Sequence, residues 1–286
     1  MGYDIQKVAV VGGELFSTRR DGDGPPAVVL HMGPGFGAEM DIGIVEELDG
    51  VFATALPQQR GLPPSTLAGP RDIETHVADE IALLDHLGWD RAWFIGHAWG
   101  GHLAMHVAVA HPDRVSGLIL LAPLGAVPDG GIAGLHEALV GRLTFEERGR
   151  LDSLLARQVD GDEDPTLMRE IYATLWPSYS PTHGNVVPPG TIRIERPLPG
   201  EPDTMASVLA HFEAGTLAEG LPRLDIPALL IQGDGDPTPL SATIETAALL
   251  AGSSVKTIEG VGHFPWVERR GAVRELVIEF LQTSRA

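Results

Sequence analysis

Short apolar runs alternate with helical patterns along most of the chain. Strands are predicted where aliphatic and aromatic residues run together, at 27–30, 51–55, 92–96, 117–121, 227–231 and 254–258. The remaining elements predicted are a hairpin over 6–17 and helices over 74–87, 99–110 and about 270–282. This alternation is typical of a mainly parallel sheet with helices on both faces. We therefore predict an α/β fold.

The rhythm of strands and helices breaks between about residues 128 and 220. This segment shows no convincing strand, and a long irregular connection within it is rich in proline, at positions 177, 181, 188, 189, 197, 199 and 202. Loops of this length in compact domains are usually functional or mobile. We predict a helical cap over 128–220, inserted into a core formed by 1–127 and 221–286.

Local signals place the helices of the predicted cap. Thr144, with Glu147 three residues later, forms a capping box for a helix that runs to about residue 158. Asp164 supplies an N-cap for a second helix, and Pro165 suits its first position. A third helix is predicted near 204–215.

Composition and charge exclude several classes of function. The 286 residues include no cysteine, which excludes a disulfide scaffold, a thiolate nucleophile, a Cys-ligated zinc ion and an iron–sulfur cluster. The formal net charge of −19 argues against nucleic acid or an anionic membrane as a partner. Residues 1–4 show no basic region that leads into an apolar run, and no stretch is long enough to span a bilayer. We therefore expect a cytoplasmic protein.

The strongest chemical signal is a glycine-bounded turn between a predicted strand and a helix. The strand at 92–96 ends in Gly96, and the chain passes through Ala98 and Gly100 directly into the helix over 99–110. Glycines two residues before and after the centre permit a turn so tight that a Cβ would collide with neighbouring backbone. This is the context of a nucleophile elbow, whose apex carries the attacking Ser. Ala98 occupies the apex, so this chain has no hydroxyl there.

A second glycine-rich turn follows the predicted strand at 27–30. Residues 31–35 read His-Met-Gly-Pro-Gly. In proteins with a nucleophile elbow, the loop at this point donates one backbone N–H to an oxyanion, and the residue after the nucleophile donates the other. We assign the loop donor to Gly33, with Met32 as the alternative, and the second donor to Trp99.

An acid and a base are predicted in the last quarter of the chain. Asp236 comes just after the predicted strand at 227–231, where catalytic groups collect in open α/β sheets. His263 lies on a glycine-flanked loop before the last helix. Ala98, Asp236 and His263 follow the chain order of nucleophile, acid and base that accompanies a nucleophile elbow.

Three motifs carry a resemblance to a known family. Residues 31–35 resemble a His-Gly-Gly-Pro-Gly loop, residues 59–61 an Asp-Gln-Arg-Gly segment, and residues 96–101 a Gly-x-Ser-Trp-Gly-Gly elbow. The sequence is similar to the α/β-hydrolases, and within them to the proline iminopeptidase-like branch. The resemblance spans the core on both sides of the cap. It implies an α/β-hydrolase fold, with Asp236 as the acid and His263 as the base.

Some positions depart from the family pattern. Met32 replaces the first loop glycine, Gln58 stands where the family usually has Asp, and Ala98 replaces the nucleophile. In iminopeptidases a cap glutamate receives the free amine of the substrate, and the nearest counterpart here, residues 209–212, lacks that acid. Glu213 is adjacent but falls on a different helix face. The resemblance is therefore specific for the fold and much less so for the substrate.

Ala98 admits two interpretations. In the first, the parent protein has Ser at this position, and this chain is an engineered variant that holds substrate without turning it over. In the second, the natural protein lacks the nucleophile and either binds a ligand or uses His263 with Asp236 as an acid/base pair. We favour the first interpretation, because every other element that acyl transfer demands is present.

The expected activity is that of a serine-hydrolase-type parent that cleaves a small ester, lactone or amide by acyl transfer. The alternatives are a proline iminopeptidase-like aminopeptidase, and a Ser-less protein that acts as a binding protein, cyclase or lyase. The expected partner is a small-molecule substrate, and no metal or organic cofactor is implied. The oligomeric state is left open.

Two groups of residues have a structural and a functional interpretation. His102 and His106 are four residues apart on a predicted helix, as metal ligands often are, but no third ligand is evident, so we expect buried or hydrogen-bonded histidines. Four residues of the cap either line an apolar pocket or pack the cap onto the core: Trp176, Tyr179, His211 and Phe212.

Overall fold

The chain folds around one mixed, mainly parallel β-sheet. A computed structural model describes residues 3–162, 164, 166–182 and 201–283. The strands are β1 (Asp4–Val10), β2 (Gly13–Arg20), β3 (Pro26–Leu30), β4 (Ala53–Gln58), β5 (Ala92–His97), β6 (Val115–Leu121), β7 (Ala228–Gly233) and β8 (Ser254–Ile258). In the described residues they form one eight-stranded sheet with the order β1-β2-β4-β3-β5-β6-β7-β8. Strand β2 is antiparallel to its neighbours β1 and β4, and the remaining pairs in the described sheet are parallel.

Helices cover both faces of the sheet. They are α1 (Ile42–Glu47), α2 (Ile73–Leu87), α3 (Trp99–Ala110), α4 (Ile132–Gly141), α5 (Phe145–Val159), α6 (Leu167–Leu175), α7 (Glu201–Ala214), α8 (Thr216–Gly220), α9 (Leu240–Ala248), α10 (Pro265–Glu268) and α11 (Ala272–Thr283). Short 3-10 segments lie at Ala38–Asp41, Pro112–Arg114, Trp176–Tyr179 and Leu221–Arg223. This arrangement confirms the predicted α/β fold.

The central strands are buried on both faces, which explains their almost continuous apolar sequences. Successive side chains alternate between two hydrophobic clusters. Val28 and Leu30 pack on the side of α2 and α3, whereas Val29 and Ile95 pack on the side of α1 and α11. Because the central strands are parallel, their carboxyl ends lie at one edge of the sheet, where catalytic groups are expected.

Helix ends follow local sequence signals. Asp72 accepts a hydrogen bond from the Thr75 N–H at 2.8 Å at the start of α2, and Gly88 ends that helix with a φ of 67°. The predicted capping box of α5 is confirmed, because Thr144 and Glu147 each bind the backbone N–H of the other.

The described residues between β6 and β7 contain helices α4 to α8 and no strand. Helices α5 and α6 share a small hydrophobic cluster of their own. Helix α7 is tied to the start of α2, because the Ser207 hydroxyl accepts the Ile73 N–H and Thr204 donates to the Arg71 carbonyl. The cap boundaries at 128 and 220 stay a prediction. The proline-rich connection at positions 188, 189, 197 and 199 lies outside the described residues.

Several element boundaries differ from the sequence prediction by a few residues, and those of β4 and α6 have a clear physical reason. Strand β4 starts at Ala53 rather than 51, because residues 49–52 turn back on α1, and it extends to Gln58 through antiparallel pairing with β2. Helix α6 starts at Leu167, and Pro165, which was predicted at its first position, lies outside the described residues. The Asp164 carboxylate binds the N–H and hydroxyl of Thr166, so it closes a turn before the helix rather than serving as the N-cap.

Candidate active site

The turn between β5 and α3 holds Ala98 in a strained backbone conformation, with φ 50° and ψ −115°. A left-handed φ is uncommon for a residue with a Cβ and costs about 1–3 kcal/mol. Close backbone contacts on both sides enforce it. A Cβ on Gly96 would lie 2.3 Å from the Gly100 carbonyl oxygen, and a Cβ on Gly100 would lie 2.0 Å from the Leu30 carbonyl oxygen. The turn therefore has the geometry that sequence reasoning required of an elbow.

His263 and Asp236 form a buried hydrogen-bonded pair. The His263 Nδ1 lies 2.9 Å from one carboxylate oxygen of Asp236 and 3.1 Å from the other. The Thr238 N–H donates to the same carboxylate at 2.7 Å, which fixes its orientation. A carboxylate acceptor at Nδ1 favours the tautomer with the proton on that nitrogen. The lone pair of His263 is therefore on Nε2.

Several of the residues predicted for the site line one cavity of about 180 Å³. Met32, Gly33, Ala98, Trp99 and His263 are all in its wall, whereas Asp236 lies behind His263. The other described lining residues are mostly apolar: Pro34, Phe36, Ala122, Leu124, Gly130, Gly131, Ile132, Leu135, Tyr172, Tyr179, Met205 and Thr238. No described residue in the wall carries a carboxylate or a permanent positive charge. The cavity is thus suited to a small uncharged ligand.

The backbone N–H groups around the cavity differ in what they bind. The Met32 N–H donates to the Asp41 carboxylate at 2.6 Å, so it is already engaged. The N–H groups of Gly33 and Trp99 have no acceptor among the described residues. Trp99 is the first residue of α3, where helix geometry leaves N–H groups without an intrahelical partner. Of the two loop donors considered from the sequence, the geometry thus favours Gly33 over Met32.

The segment after β4 holds the loop and the elbow together. The Gln59 side chain accepts the Trp99 indole N–H at 2.8 Å and donates to the His31 carbonyl at 3.2 Å. The Gln59 N–H donates to the His31 Nε2 at 3.1 Å. Burial lowers the pKa of His31, in keeping with a neutral ring that accepts at Nε2. Arg60, the next residue, forms a buried ion pair with Asp79 at 2.6 Å.

Asp41 and His97 belong to the site but were missed by sequence reasoning. Both are fully buried, and the Asp41 carboxylate contacts the His97 Nδ1 as well as the Met32 N–H. The His97 Nε2 lies 3.1 Å from the His263 carbonyl oxygen. His97 directly precedes Ala98 at the apex of the elbow, and this position in the sequence is the signal that could have identified it. Asp41 lies in a 3-10 segment without any periodic signal.

The cap residues proposed from the sequence divide between two roles. Tyr179 lines the cavity, whereas Trp176 is buried in the hydrophobic cluster behind it. His211 and Phe212 lie against His106 and His102 instead, with ring centroids 4.8 and 5.1 Å apart. They pack α7 onto α3 and do not reach the cavity wall.

The histidine pair on α3 is buried and hydrogen-bonded. The His102 Nδ1 donates to the Gly125 carbonyl, and the Nε2 atoms of His102 and His106 are 3.2 Å apart. No group of three or more potential ligands that could hold a metal ion occurs among the described residues. None of the helices in the described ranges is long and apolar enough to cross a membrane.

Known proteins are similar over the whole chain or over part of it. A soluble epoxide hydrolase of Corynebacterium sp. strain C12 is 28% identical over 97% of both chains. A proline iminopeptidase of Neisseria gonorrhoeae is 35% identical over 101 residues, which cover 34% of this chain and 32% of that protein. The solved structure of an enol-lactonase from Burkholderia xenovorans LB400 superposes with a TM-score of 0.65, at 24% identity and with 97% and 100% of the two chains covered.

These relatives do not single out the iminopeptidase-like branch that the motifs suggested. They do agree on the scaffold, and the sequence profile of the α/β-hydrolase fold matches residues 25–269. This match covers most of the chain and includes Ala98, Asp236 and His263. The chain therefore belongs to the α/β-hydrolase family of enzymes.

Proposed function

We propose that the site is built for acyl transfer and that its functional parent hydrolyses a small uncharged ester, lactone or amide. The attacking hydroxyl belongs at position 98, which is Ala in this chain. The observation that carries the proposal is the strained backbone of Ala98 beside His263 in one cavity. Strain of this kind persists where the surroundings over-determine it, and it concentrates at active sites.

With a hydroxyl at position 98, the arrangement performs each step of acyl transfer. His263 Nε2 removes the hydroxyl proton as the oxygen attacks the carbonyl carbon, and Asp236 stabilises the imidazolium that forms. The N–H groups of Gly33 and Trp99 hold the negative oxygen of the tetrahedral intermediate. His263 then donates its proton to the leaving group, and a water molecule repeats the sequence to release the acid.

With Ala98, the same site retains its cavity, base and N–H donors but lacks the nucleophile. Ligand binding is therefore expected to survive, while turnover falls by several orders of magnitude. The retained cavity, base and N–H donors support the interpretation of the chain as a Ser-to-Ala form that captures substrate. A long-abandoned site has no physical reason to preserve a strained turn.

The wall of the cavity argues against a free amine on the substrate. A carboxylate is the strongest partner for a protonated amine, and the described lining residues include none. Glu213 is exposed on α7 and is absent from the wall. The iminopeptidase alternative therefore has less support than an esterase or lactonase.

The test restores the hydroxyl by Ala98→Ser. We expect a burst and steady turnover on p-nitrophenyl acetate, p-nitrophenyl butyrate and small lactones, with little activity on proline arylamides. Ala122→Ser is the matched control, because Ala122 lines the same cavity with a φ of 43° but lies outside the elbow. If Ala98→Ser is no faster than Ala122→Ser on the whole panel, the proposal is wrong. Preferential cleavage of the arylamides by Ala98→Ser favours the aminopeptidase alternative instead.

A further inference from the structure

Without a hydroxyl at position 98, His263 faces the cavity directly. Its Nδ1 is held by Asp236, and its Nε2 has no hydrogen-bond partner among the described residues. The residue is only 2% exposed, so the cavity is the space from which this nitrogen can take a proton. An oriented, partnered imidazole of this kind is a general base.

The same cavity contains two N–H groups suited to a negative oxygen. Gly33 and Trp99 both line it, and neither N–H is used elsewhere in the described residues. A base and an oxyanion site on one cavity are the two groups that proton abstraction beside a carbonyl requires, because the charge left by the proton moves to the carbonyl oxygen. Acyl transfer requires a nucleophile in addition, and this chain lacks one.

We propose that the chain with Ala98 catalyses reversible proton transfer at the carbon next to the carbonyl of a small uncharged ketone. The C–H bond breaks as its proton moves to His263 Nε2. The electron pair of that bond forms the C=C bond of an enolate, and the carbonyl π pair moves onto the oxygen, where the N–H groups of Gly33 and Trp99 bind it. Return of a proton from Nε2 to the carbon completes the cycle, so no oxidant or co-reactant is needed. The proposal rests on the base and N–H donors of the proposed function, but not on hydrolysis.

Alanine at the apex is what makes this reaction available. A Ser hydroxyl at position 98 would donate to Nε2 and occupy the space between the elbow and the imidazole. The methyl group of Ala98 makes no hydrogen bond and leaves that space to the substrate carbon. Proton abstraction and hydrolysis should therefore respond in opposite directions to Ala98→Ser.

The cavity limits the size and charge of the ketone. A volume of about 180 Å³ is on the scale of a cavity that holds a single ring. Phe36, Leu135 and Met205 supply apolar wall, and no described lining residue offers a partner for a charged group. Phenylacetone fits these limits, and its benzylic protons are acidic enough for an imidazole base to exchange them slowly.

The experiment measures loss of the benzylic proton signal of phenylacetone in deuterium oxide by NMR, with the full chain as it stands. We expect exchange about 100-fold faster with this chain than with its His263→Gln variant. Asp236→Asn should lie between the two. His111→Gln is the matched control, because His111 is exposed at the end of α3 and should leave the rate unchanged.

Ala98→Ser provides a second test in case the His263→Gln variant does not fold. It should fold, and it should lower the exchange rate about tenfold or more while hydrolysis of esters appears. Equal exchange by the chain and by His263→Gln, or unchanged exchange in Ala98→Ser, would overturn the proposal. Ester hydrolysis by Ala98→Ser without exchange by the Ala98 chain would leave the proposed function intact and reject only the proton-transfer activity.

Discussion

The Asp41 carboxylate lies 3.0 Å from the His97 Nδ1 at a point where both side chains are shielded completely from solvent. Its second oxygen accepts the Met32 N–H, and the other ring nitrogen of His97 faces the His263 carbonyl. One buried carboxylate thereby connects three chain segments of the site. These segments contain Met32, His97 and His263, which belong to or adjoin the proposed N–H donor, elbow and base.

Two replacements of Asp41 should distinguish the contribution of its hydrogen bonds to stability from the contribution of its charge. Asp41→Asn can still accept the Met32 N–H and can donate to His97 Nδ1, so we expect a loss of stability below about 1 kcal/mol. Asp41→Ala leaves two buried polar partners unsatisfied, at a cost of about 2–5 kcal/mol. Urea unfolding of the two variants measures the difference. Equal losses would show that the negative charge matters rather than the hydrogen bonds.

Gly100 should not tolerate even the smallest side chain. Gly100→Ala places a Cβ 2.0 Å from the Leu30 carbonyl oxygen, in backbone that cannot move without disturbing β3. We expect a loss above about 4 kcal/mol or no folded protein. Gly149→Ala is the control, because Gly149 lies within α5 with no neighbouring atom within 4 Å of the new Cβ. That change should stabilise the protein by about 0.5–1 kcal/mol. A mild effect of Gly100→Ala in thermal unfolding would contradict the close approach.

Releasing the backbone strain at Ala98 should increase the stability of the protein. Ala98→Gly removes the Cβ from a conformation that glycine adopts freely, and we expect the free energy of unfolding to rise by about 1 kcal/mol. Ala104→Gly, in the interior of α3, should instead lower it by about 1 kcal/mol or more. Guanidinium unfolding compares the two. A loss of stability in Ala98→Gly like that in Ala104→Gly would mean that position 98 stores no strain.

The sequence was most informative where a single local rule decides the structure. Continuous apolar runs placed the buried strands, and Gly96 with Gly100 identified the elbow, because only glycine fits those contacts. Asp41 could not be found in this way. Its role depends on a contact with His97, 56 residues away, and no periodicity or spacing encodes such a contact.

The element boundaries that were predicted wrongly also depend on contacts between distant parts of the chain. The start of β4 depends on a turn against α1, and its end depends on pairing with β2. The role of Gln59 depends on where His31 and Trp99 meet. Tertiary contacts decide these features, whereas the sequence shows only local preferences.

Glu80 should make the protein less stable as the pH rises. It is buried on α2, and one of its carboxyl oxygens has no hydrogen-bond partner among the described residues. Burial, with the neighbouring charge of Asp79, raises the pKa of Glu80 well above 4.5. The folded state therefore favours the protonated form. The resulting stability is complete below pH 4.5 and is lost as the pH rises through the raised value.

Glu80→Gln tests this dependence, because the amide is uncharged at every pH. Urea unfolding between pH 5 and 8 should show stability falling with pH in the unmodified chain. The slope should be smaller in Glu80→Gln. Glu213→Gln, on the exposed surface of α7, is the control and should leave the slope unchanged. An identical slope in the unmodified chain and in Glu80→Gln would rule out ionisation of Glu80 as its source.

His102 and His106 should give the opposite dependence on the acid side. Burial lowers the pKa of His102 to about 4, and burial together with the neighbouring His102 lowers the pKa of His106 to about 2. The folded state thus favours neutral rings, whereas the unfolded chain takes up protons near the ordinary value of 6.5. Their contribution to stability is present above pH 6.5 and is lost as the pH falls towards 4 for His102 and towards 2 for His106.

Each of these histidines should contribute a slope of up to about 1.4 kcal/mol per pH unit below pH 6. His106→Gln removes one titrating group, so unfolding measured from pH 7 to 4 should fall less steeply than in the unmodified chain. His136 is an exposed histidine on α4, so His136→Gln should not change the slope.

Protonation of His102 and His106 should also loosen α7 before the sheet opens, because His211 and Phe212 of α7 pack directly on this pair. Hydrogen exchange at pH 5 should therefore lose protection in α7 first, and equal loss in α7 and β5 would contradict this order.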